Sequence, residues 1–293
     1  MNLEKAVKIW PQYILPHHFL SRGMHALTRI NGGALSHAAM RAFIRAFRVN
    51  MQEAVQEDVK RYPNFNAFFT RALKPEARPV DFSDDAVVSP VDGTVNQAGE
   101  IRDGRIFQAK GHDYSAEELL GDAALAAPFM NGEFATLYLS PRDYHRIHMP
   151  VDGTLTEMLH VPGRLFSVNG LTARNIPRLF ARNERVVCLF DTPLGKMALV
   201  AVGAIFVGSI ETVWAGEITP PAGSRIRRWR YGPGESAGEV SLKKGEELGR
   251  FNMGSTVVML TEPGAVDWGD YLLPETEMRM GARIGKIKSM DRI

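Results

Sequence analysis

Pro90-Val91-Asp92-Gly93-Thr94-Val95 returns almost unchanged as Pro150-Val151-Asp152-Gly153-Thr154-Leu155. In each copy an Asp-Gly turn feeds a run of β-branched or aliphatic residues, the signature of a tight corner entering a strand. A second echo pairs Gly245-Glu246-Glu247-Leu248-Gly249-Arg250 with Gly281-Ala282-Arg283-Ile284-Gly285-Lys286. Duplicated corners predict a folded-over sheet with approximate internal symmetry. Outward from these corners, short apolar runs divided by Gly, Pro, Asp and Asn fill the chain from residue 86 on. They predict strands at 86–89, 94–97, 134–139, 153–159, 185–190, 196–201, 204–213, 225–231, 256–260 and 282–287. Ser115 to Leu120 is the one clear helical insert, with Ser115 as its cap and Glu117 and Glu118 in the first turn.

Before this body the texture is helical. One helix is predicted over 17–30, closed by Asn31-Gly32-Gly33, and a second from Ser36 to Lys60 with Ser36 as N-cap. Ala39, Phe43 and Phe47 recur every fourth residue in the second, with Arg41, Arg45 and Arg48 on another side. Residues 1–50 hold seven Lys or Arg against the single acid Glu4, although the whole chain of 293 residues carries a formal charge of only +2. An apolar stripe beside an arginine row suits a helix lying on anionic lipid; it equally suits a helix packed on the body with a solvated back. No signal-peptide pattern opens the chain. The longest nearly apolar run, Met197 to Ile210, is shorter than the ~20 residues a spanning helix needs. The fold class expected is therefore α+β: amino-terminal amphipathic helices, then a mainly antiparallel, sheet-rich barrel-sandwich body with internal pseudo-symmetry.

Composition removes several functions. The balance of 45% hydrophobic and 23% charged residues is that of a globular protein. A near-neutral charge gives no support to nucleic-acid binding. The single cysteine, Cys188 in an apolar run, excludes an intrachain disulfide and reads as a core thiol. No phosphate-binding glycine loop is present.

Two segments are dense in chemistry. Tyr138 to Pro150 contains His145 and His148, three apart in a loop-like stretch. An imidazole titrates near neutral pH, so this pair reads as a source of a general base; without a further His, Cys or carboxylate cluster it does not read as a metal site. The second segment is Asn252-Met253-Gly254-Ser255-Thr256, at the mouth of the apolar strand Val257 to Leu260. Ser255 reads as a nucleophile or as a plain turn serine, and the hydrolase elbow pattern is absent. Asp92 and Asp152 stand in the same turn setting and are equivalent on this reading. Lys196, in Gly195-Lys196-Met197, has the look of a carrier-domain tip or of a solvent-facing lysine. The arginines 225, 227, 228 and 230 around Trp229 read as an anion-binding patch or as the solvated face of an edge strand.

Taken together, Phe65 to Pro79, Ser89-Pro90-Val91-Asp92-Gly93, Lys110 to Ser115, Tyr138 to Pro150 and Gly254-Ser255-Thr256 closely resemble the prokaryotic phosphatidylserine decarboxylase proenzyme family. Met253 stands where many members have Leu, a swap of similar volume. The resemblance implies conversion of phosphatidylserine to phosphatidylethanolamine and CO2 through a Schiff base with a self-made pyruvoyl group, without pyridoxal phosphate or metal. It implies self-cleavage between Gly254 and Ser255 into a large chain, 1–254, and a small chain, 255–293, with Ser255 becoming the pyruvoyl group. Asp92, His148 and Ser255 correspond to the family's cleavage relay, with His148 oriented by Asp92, and His145 to the histidine tied to decarboxylation. The organisation implied is a membrane-associating helical region, 1–61, and a catalytic domain, 62–293, peripheral to the cytoplasmic face of the bacterial cell membrane. The partners are phosphatidylserine, anionic lipid and the two chains of one precursor; a homodimer is compatible with them. The rivals are a membrane-associated serine hydrolase using Ser255, His148 and Asp92, a pyruvoyl decarboxylase of another amino acid derivative, and a non-enzymatic carrier built on Lys196.

Overall fold

A computed structural model describes residues 9–206, 209–219, 224–254 and 256–288. Helices α1 (Pro11–Ile14), α2 (His17–Thr28) and α3 (Gly33–Phe47) come first, followed by α4 (Phe65–Phe69). The helix expected to reach Lys60 stops at Phe47, because Arg48 turns left-handed (φ 56°) and its N–H closes on the Ile44 carbonyl. Ser36 lies inside α3, which begins after Gly32. Further on, α5 (Ala116–Leu120) has the expected capping box: the Ser115 hydroxyl accepts from Glu118 N–H while the Glu118 carboxylate accepts from Ser115 N–H.

The strands are β1 (Ala86–Val88), β2 (Gly93–Glu100), β3 (Arg105–Ala109), β4 (His112–Ser115), β5 (Glu133–Tyr138), β6 (Arg146–His148), β7 (Gly153–Val161), β8 (Arg185–Thr192) and β9 (Gly195–Val202). They continue with β10 (Ile210–Thr212), β11 (Gly216–Glu217), β12 (Arg227–Arg230), β13 (Ser241–Leu242), β14 (Glu247–Phe251), β15 (Thr256–Thr261), β16 (Val266–Asp267), β17 (Glu277–Met278) and β18 (Arg283–Ile287). One antiparallel sheet runs β12-β7-β8-β9-β15-β5-β2-β17, with β13 also on β7. Smaller sheets are β11-β10-β14-β6, β1-β18-β16 and β3-β4.

The barrel-sandwich expectation is corrected here: among the described residues no sheet closes into a barrel. The large sheet ends on β12 and β13 at one side and on β17 at the other. Those edges are short or arginine-rich, which discourages further pairing. The arginines of β12 accordingly form an edge strand, where Arg228 pairs with Glu157 and Asp122. Cys188 is a free, buried thiol in β8. Lys196 is tied to Asp191 at 2.8 Å across the β8–β9 hairpin.

The two sequence echoes meet in space. Gly93 begins β2 and Gly153 begins β7, and each strand bulges just after its second residue beyond the turn, between Val95 and Gln97 and between Leu155 and Glu157. β17 pairs with β2 through Glu277↔Thr94 as β13 pairs with β7 through Ser241↔Thr154. Gly281 N donates to Ser89 O as Gly245 N donates to Met149 O. His148 N donates to Pro90 O, and reciprocally Val88 N donates to Pro150 O. Gly93 is required at its corner: a Cβ there would stand 2.4 Å from Tyr138 O.

The amino-terminal helices are packed onto the body. Phe43 stacks edge-on with Phe65, Phe68 and Phe69, and Met40, Val49, Tyr62 and Phe68 form a buried cluster. The Phe43 side of the expected lipid stripe therefore faces protein. The His18 ring bonds Gly163 O, and Arg29 bonds Ser209 and Glu217. A different row, Trp10, Ile14, Phe19, Leu27, Ile30 and Leu35, is exposed. An apolar groove of about 600 Å³ runs between α2 and α3, with Leu27, Leu35, Phe43, Phe65 and Met253 among its walls. No helix among the described residues is long and apolar enough to cross a membrane.

Candidate active site

Between β14 and β15 the chain turns sharply at Asn252-Met253-Gly254, and Ser255 lies outside the described residues. Three contacts pin the turn: Phe251 N donates to His145 O, Asn252 N donates to Ser209 O, and Asn66 Nδ2 donates to Asn252 Oδ1. Met253 takes φ 110°, a region costly for a residue with a side chain, typically by about 1–3 kcal/mol. The strain thus sits one residue before Gly254.

His145 stands beside this turn. Its ring is 0% exposed and lies on Phe69, centroid to centroid 4.1 Å. Nδ1 donates to the Asp143 carbonyl at 2.8 Å, which leaves Nε2 as the basic nitrogen. Among the described residues Nε2 is buried without a partner, and it stands 4.0 Å from where a Cβ on Gly254 would be. Thr256 Oγ1 is likewise buried and unpartnered among the described residues. Buried polar atoms left without partners are costly unless a further polar group is served.

His148, on β6, faces elsewhere. Nδ1 donates to Gly245 O at 2.8 Å, and Nε2 meets the Tyr144 hydroxyl at 3.1 Å. Asp92 does not orient this ring. Arg78 binds its two carboxylate oxygens from Nε and Nη2, at 2.7 and 2.5 Å, and Met280 N–H adds a third bond at 2.9 Å. The Pro90–His148 backbone bond keeps Asp92 close enough for its charge to act on His148. Asp152, the sequence equivalent of Asp92, is a surface group held by Lys243 and Lys244. Sequence reasoning missed Arg78 and Tyr144 as members of the site; Arg78 lies in the quoted Phe65–Pro79 segment, which was its only signal.

Burial pushes the His145 imidazole down to about 3; the Asp143 carbonyl opposes this and the Arg71 charge adds to it. Burial also lowers His148, against the Gly245 carbonyl and Glu247. Tyr144 is pushed up to about 12, chiefly by burial. At neutral pH both rings are thus neutral, each with a free or hydroxyl-bonded Nε2 able to take a proton.

Residues 65–286 match the family described as phosphatidylserine decarboxylase, and residues 7–48 match a second family profile described as PSD. The chain is 56% identical over 276 residues to a protein of Azotobacter vinelandii named phosphatidylserine decarboxylase proenzyme, covering 94% of this chain and 96% of that one. A protein of the same name from Pseudomonas putida is 57% identical over 271 residues, covering 92% and 94%. One from Idiomarina loihiensis is 52% identical over 286 residues, covering 97% and 98%. These matches define a carboxy-lyase proenzyme. The chain belongs to the phosphatidylserine decarboxylase proenzyme family.

The buried histidines set an acid limit on stability. Their folded pKa values lie below the unfolded value, so the unfolded chain takes up protons first. The stability they permit is complete above about pH 6.5 and is lost as pH falls toward the folded values. For His145 the loss approaches roughly 1 kcal/mol per pH unit. Urea unfolding at pH 7 and pH 5 should show wild type weakening more than His145→Gln. Equal slopes would mean that His145 is not buried as a neutral ring.

Proposed function

We propose that this protein is a membrane-surface phosphatidylserine decarboxylase that forms phosphatidylethanolamine and CO2, and that it matures by cutting itself between Gly254 and Ser255. The observation that carries the assignment to this site is the unpartnered, buried Nε2 of His145 beside the strained Met253-Gly254 turn. The pyruvoyl group of this family supplies an electrophilic ketone that accepts the substrate amine and holds the electrons left when CO2 departs. The orphaned Thr256 hydroxyl can donate to a carbonyl at position 255, and the lone pair of His145 Nε2 can accept from the substrate amine or take up a proton.

In this proposal the protein's own groups divide the work. The strain at Met253 and the bare Cα of Gly254 favour attack of the Ser255 hydroxyl on the Gly254 carbonyl. His148 Nε2, through Tyr144, is the sink for the hydroxyl proton. Asp92, fixed by Arg78, adds a negative charge that favours the imidazolium. His145 Nε2 holds and returns the proton at the substrate Cα during turnover. Its aromatic wall of Phe69 keeps the position dry, which favours loss of a carboxylate whose charge disperses.

The apolar groove reaching Met253 suits the acyl chains, and the exposed row on α1 to α3 suits a lipid surface, with Arg41, Arg45 and Arg48 adding positive charge. We place this face on the cytoplasmic leaflet. Leu27→Ser with Leu35→Ser should weaken co-sedimentation with phosphatidylserine-containing vesicles, and added salt should weaken it further. Unchanged co-sedimentation would remove this face from membrane contact.

Purified protein given carboxyl-labelled phosphatidylserine should release labelled CO2. His145→Ala should still cut but lose turnover by about 10²–10⁴-fold, the usual weight of general acid–base catalysis. His148→Ala should stall cutting. If His145→Ala fails to cut while His148→Ala cuts normally, the two assignments are reversed.

A further inference from the structure

A separate polar cavity of about 550 Å³ is lined by residues that neighbour the candidate site, Asp92, Asp143 and Tyr144 among them. Arg71, Arg78, Asp92, Asp143 and Tyr144 line its inner part, and Arg48 stands on its exposed rim. Most charges here are matched. Arg78 holds Asp92 and also Glu53, at 2.9 Å. Arg142 holds Glu277 at 2.5 Å. The Asp143 carboxylate accepts from Ser140 N and Oγ at 2.7 and 2.8 Å.

Arg71 is the exception. It is 4% exposed, and among the described residues no carboxylate lies within ion-pair distance of it. Nη2 donates to the Arg142 carbonyl at 3.2 Å, Nε has no partner, and the guanidinium lies over the Phe68 ring at 5.8 Å. A buried cation left without an anion is costly, and a guanidinium is the side chain best shaped for two oxygens of one phosphate. Arg71 is also close enough for its charge to act on the His145 ring, and it lies two residues past Phe69, whose ring touches that of His145.

We infer that Arg71 binds the phosphodiester of the substrate headgroup in this polar cavity. The inference rests on the decarboxylase reading above. The substrate carries two anions, and the chemistry chooses between them. A guanidinium clamped on the carboxylate would stabilise the charge that must disperse as CO2 leaves, and so would raise the barrier. The phosphodiester keeps its charge throughout, so a strong bond to it costs nothing in the chemical step. It lets remote binding energy hold the amine and carboxylate in place.

Two soluble probes separate this from a structural role. Glycerophosphoethanolamine has the phosphodiester and the amine but no acyl chain or carboxylate, and ethanolamine has the amine alone. Processed wild-type protein should broaden the phosphorus resonance of the first probe, and that probe should displace water-soluble dihexanoyl phosphatidylserine about 10–100-fold better than ethanolamine does. In Arg71→Met the broadening and the preference should vanish, with KM raised more than kcat is lowered. Arg71→Lys should recover part of both. Complete self-cleavage of each variant reports an intact site; if Arg71→Met fails to cut, Arg71→Lys and the wild-type probes still decide. Wild type that neither broadens the resonance nor prefers the phosphodiester overturns the inference, as does a cleaved Arg71→Met that keeps the preference. A loss confined to kcat, with KM unchanged, would also overturn it, since a phosphodiester anchor acts on substrate binding. Wild type that binds the probe yet releases no CO2 from phosphatidylserine would instead sink the decarboxylase reading.

Discussion

Two backbone hydrogen bonds join the repeated halves of the body: His148 N to Pro90 O at 2.8 Å, and Val88 N to Pro150 O at 3.1 Å. Each proline ends a strand and opens the Asp-Gly corner of its own copy. The reciprocal bonds therefore clamp corner to corner about an approximate twofold relation. Asp92 arrives beside His148 because of this clamp, and β14, which pairs with β6, delivers the 252–254 turn to His145. A slip of one residue in either copy would turn every side chain of the corner to the other face.

The same symmetry shows what the site adds to it. Position 88 carries valine where position 148 carries histidine, and Asp92 is buried on Arg78 while Asp152 is solvated on lysines. The candidate residues gather at one of the two corner contacts, with Asp92 coming from one copy and His148 from the other. α4 and the segment after it bring Phe69 against His145 and Arg78 against Asp92 there. Burial in this packing keeps His145 neutral, and it makes each remaining charge near the reacting position strong. The amino-terminal helices and the candidate site are thus parts of one packed unit, since Phe43 of α3 and Phe69 of α4 touch each other and Phe69 also touches His145.

Much of this was legible in the sequence. The paired corners, the strands from 86 to 88, 133 to 138, 185 to 202 and 256 to 261, and the Ser115 cap follow from local turn and capping chemistry. What failed depended on distant partners. The end of α3 at Phe47 is fixed by packing of Val49 and Tyr62, not by propensity. Sheet closure cannot be read from strand count, because edges are set by which short strands cover them. Asp92 and Asp152 differ only through Arg78, fourteen residues from one and far from the other. β3, β4, β6 and β14 were missed because each is short and polar or interrupted by turn-like residues. The resemblance of the ordered motifs carried the functional expectation where spacing alone left Ser255 ambiguous.

The central claim is that this strained turn is built to be cut and that residue 255 then carries a carbonyl. An intact-mass measurement of the denatured, purified protein tests it most directly. Two components should appear: one ending at Gly254, and one beginning at position 255 that is blocked to amino-terminal sequencing and lighter than a free serine terminus by the mass expected for pyruvoyl. A single uncut chain in a preparation that decarboxylates phosphatidylserine at full rate would contradict the account.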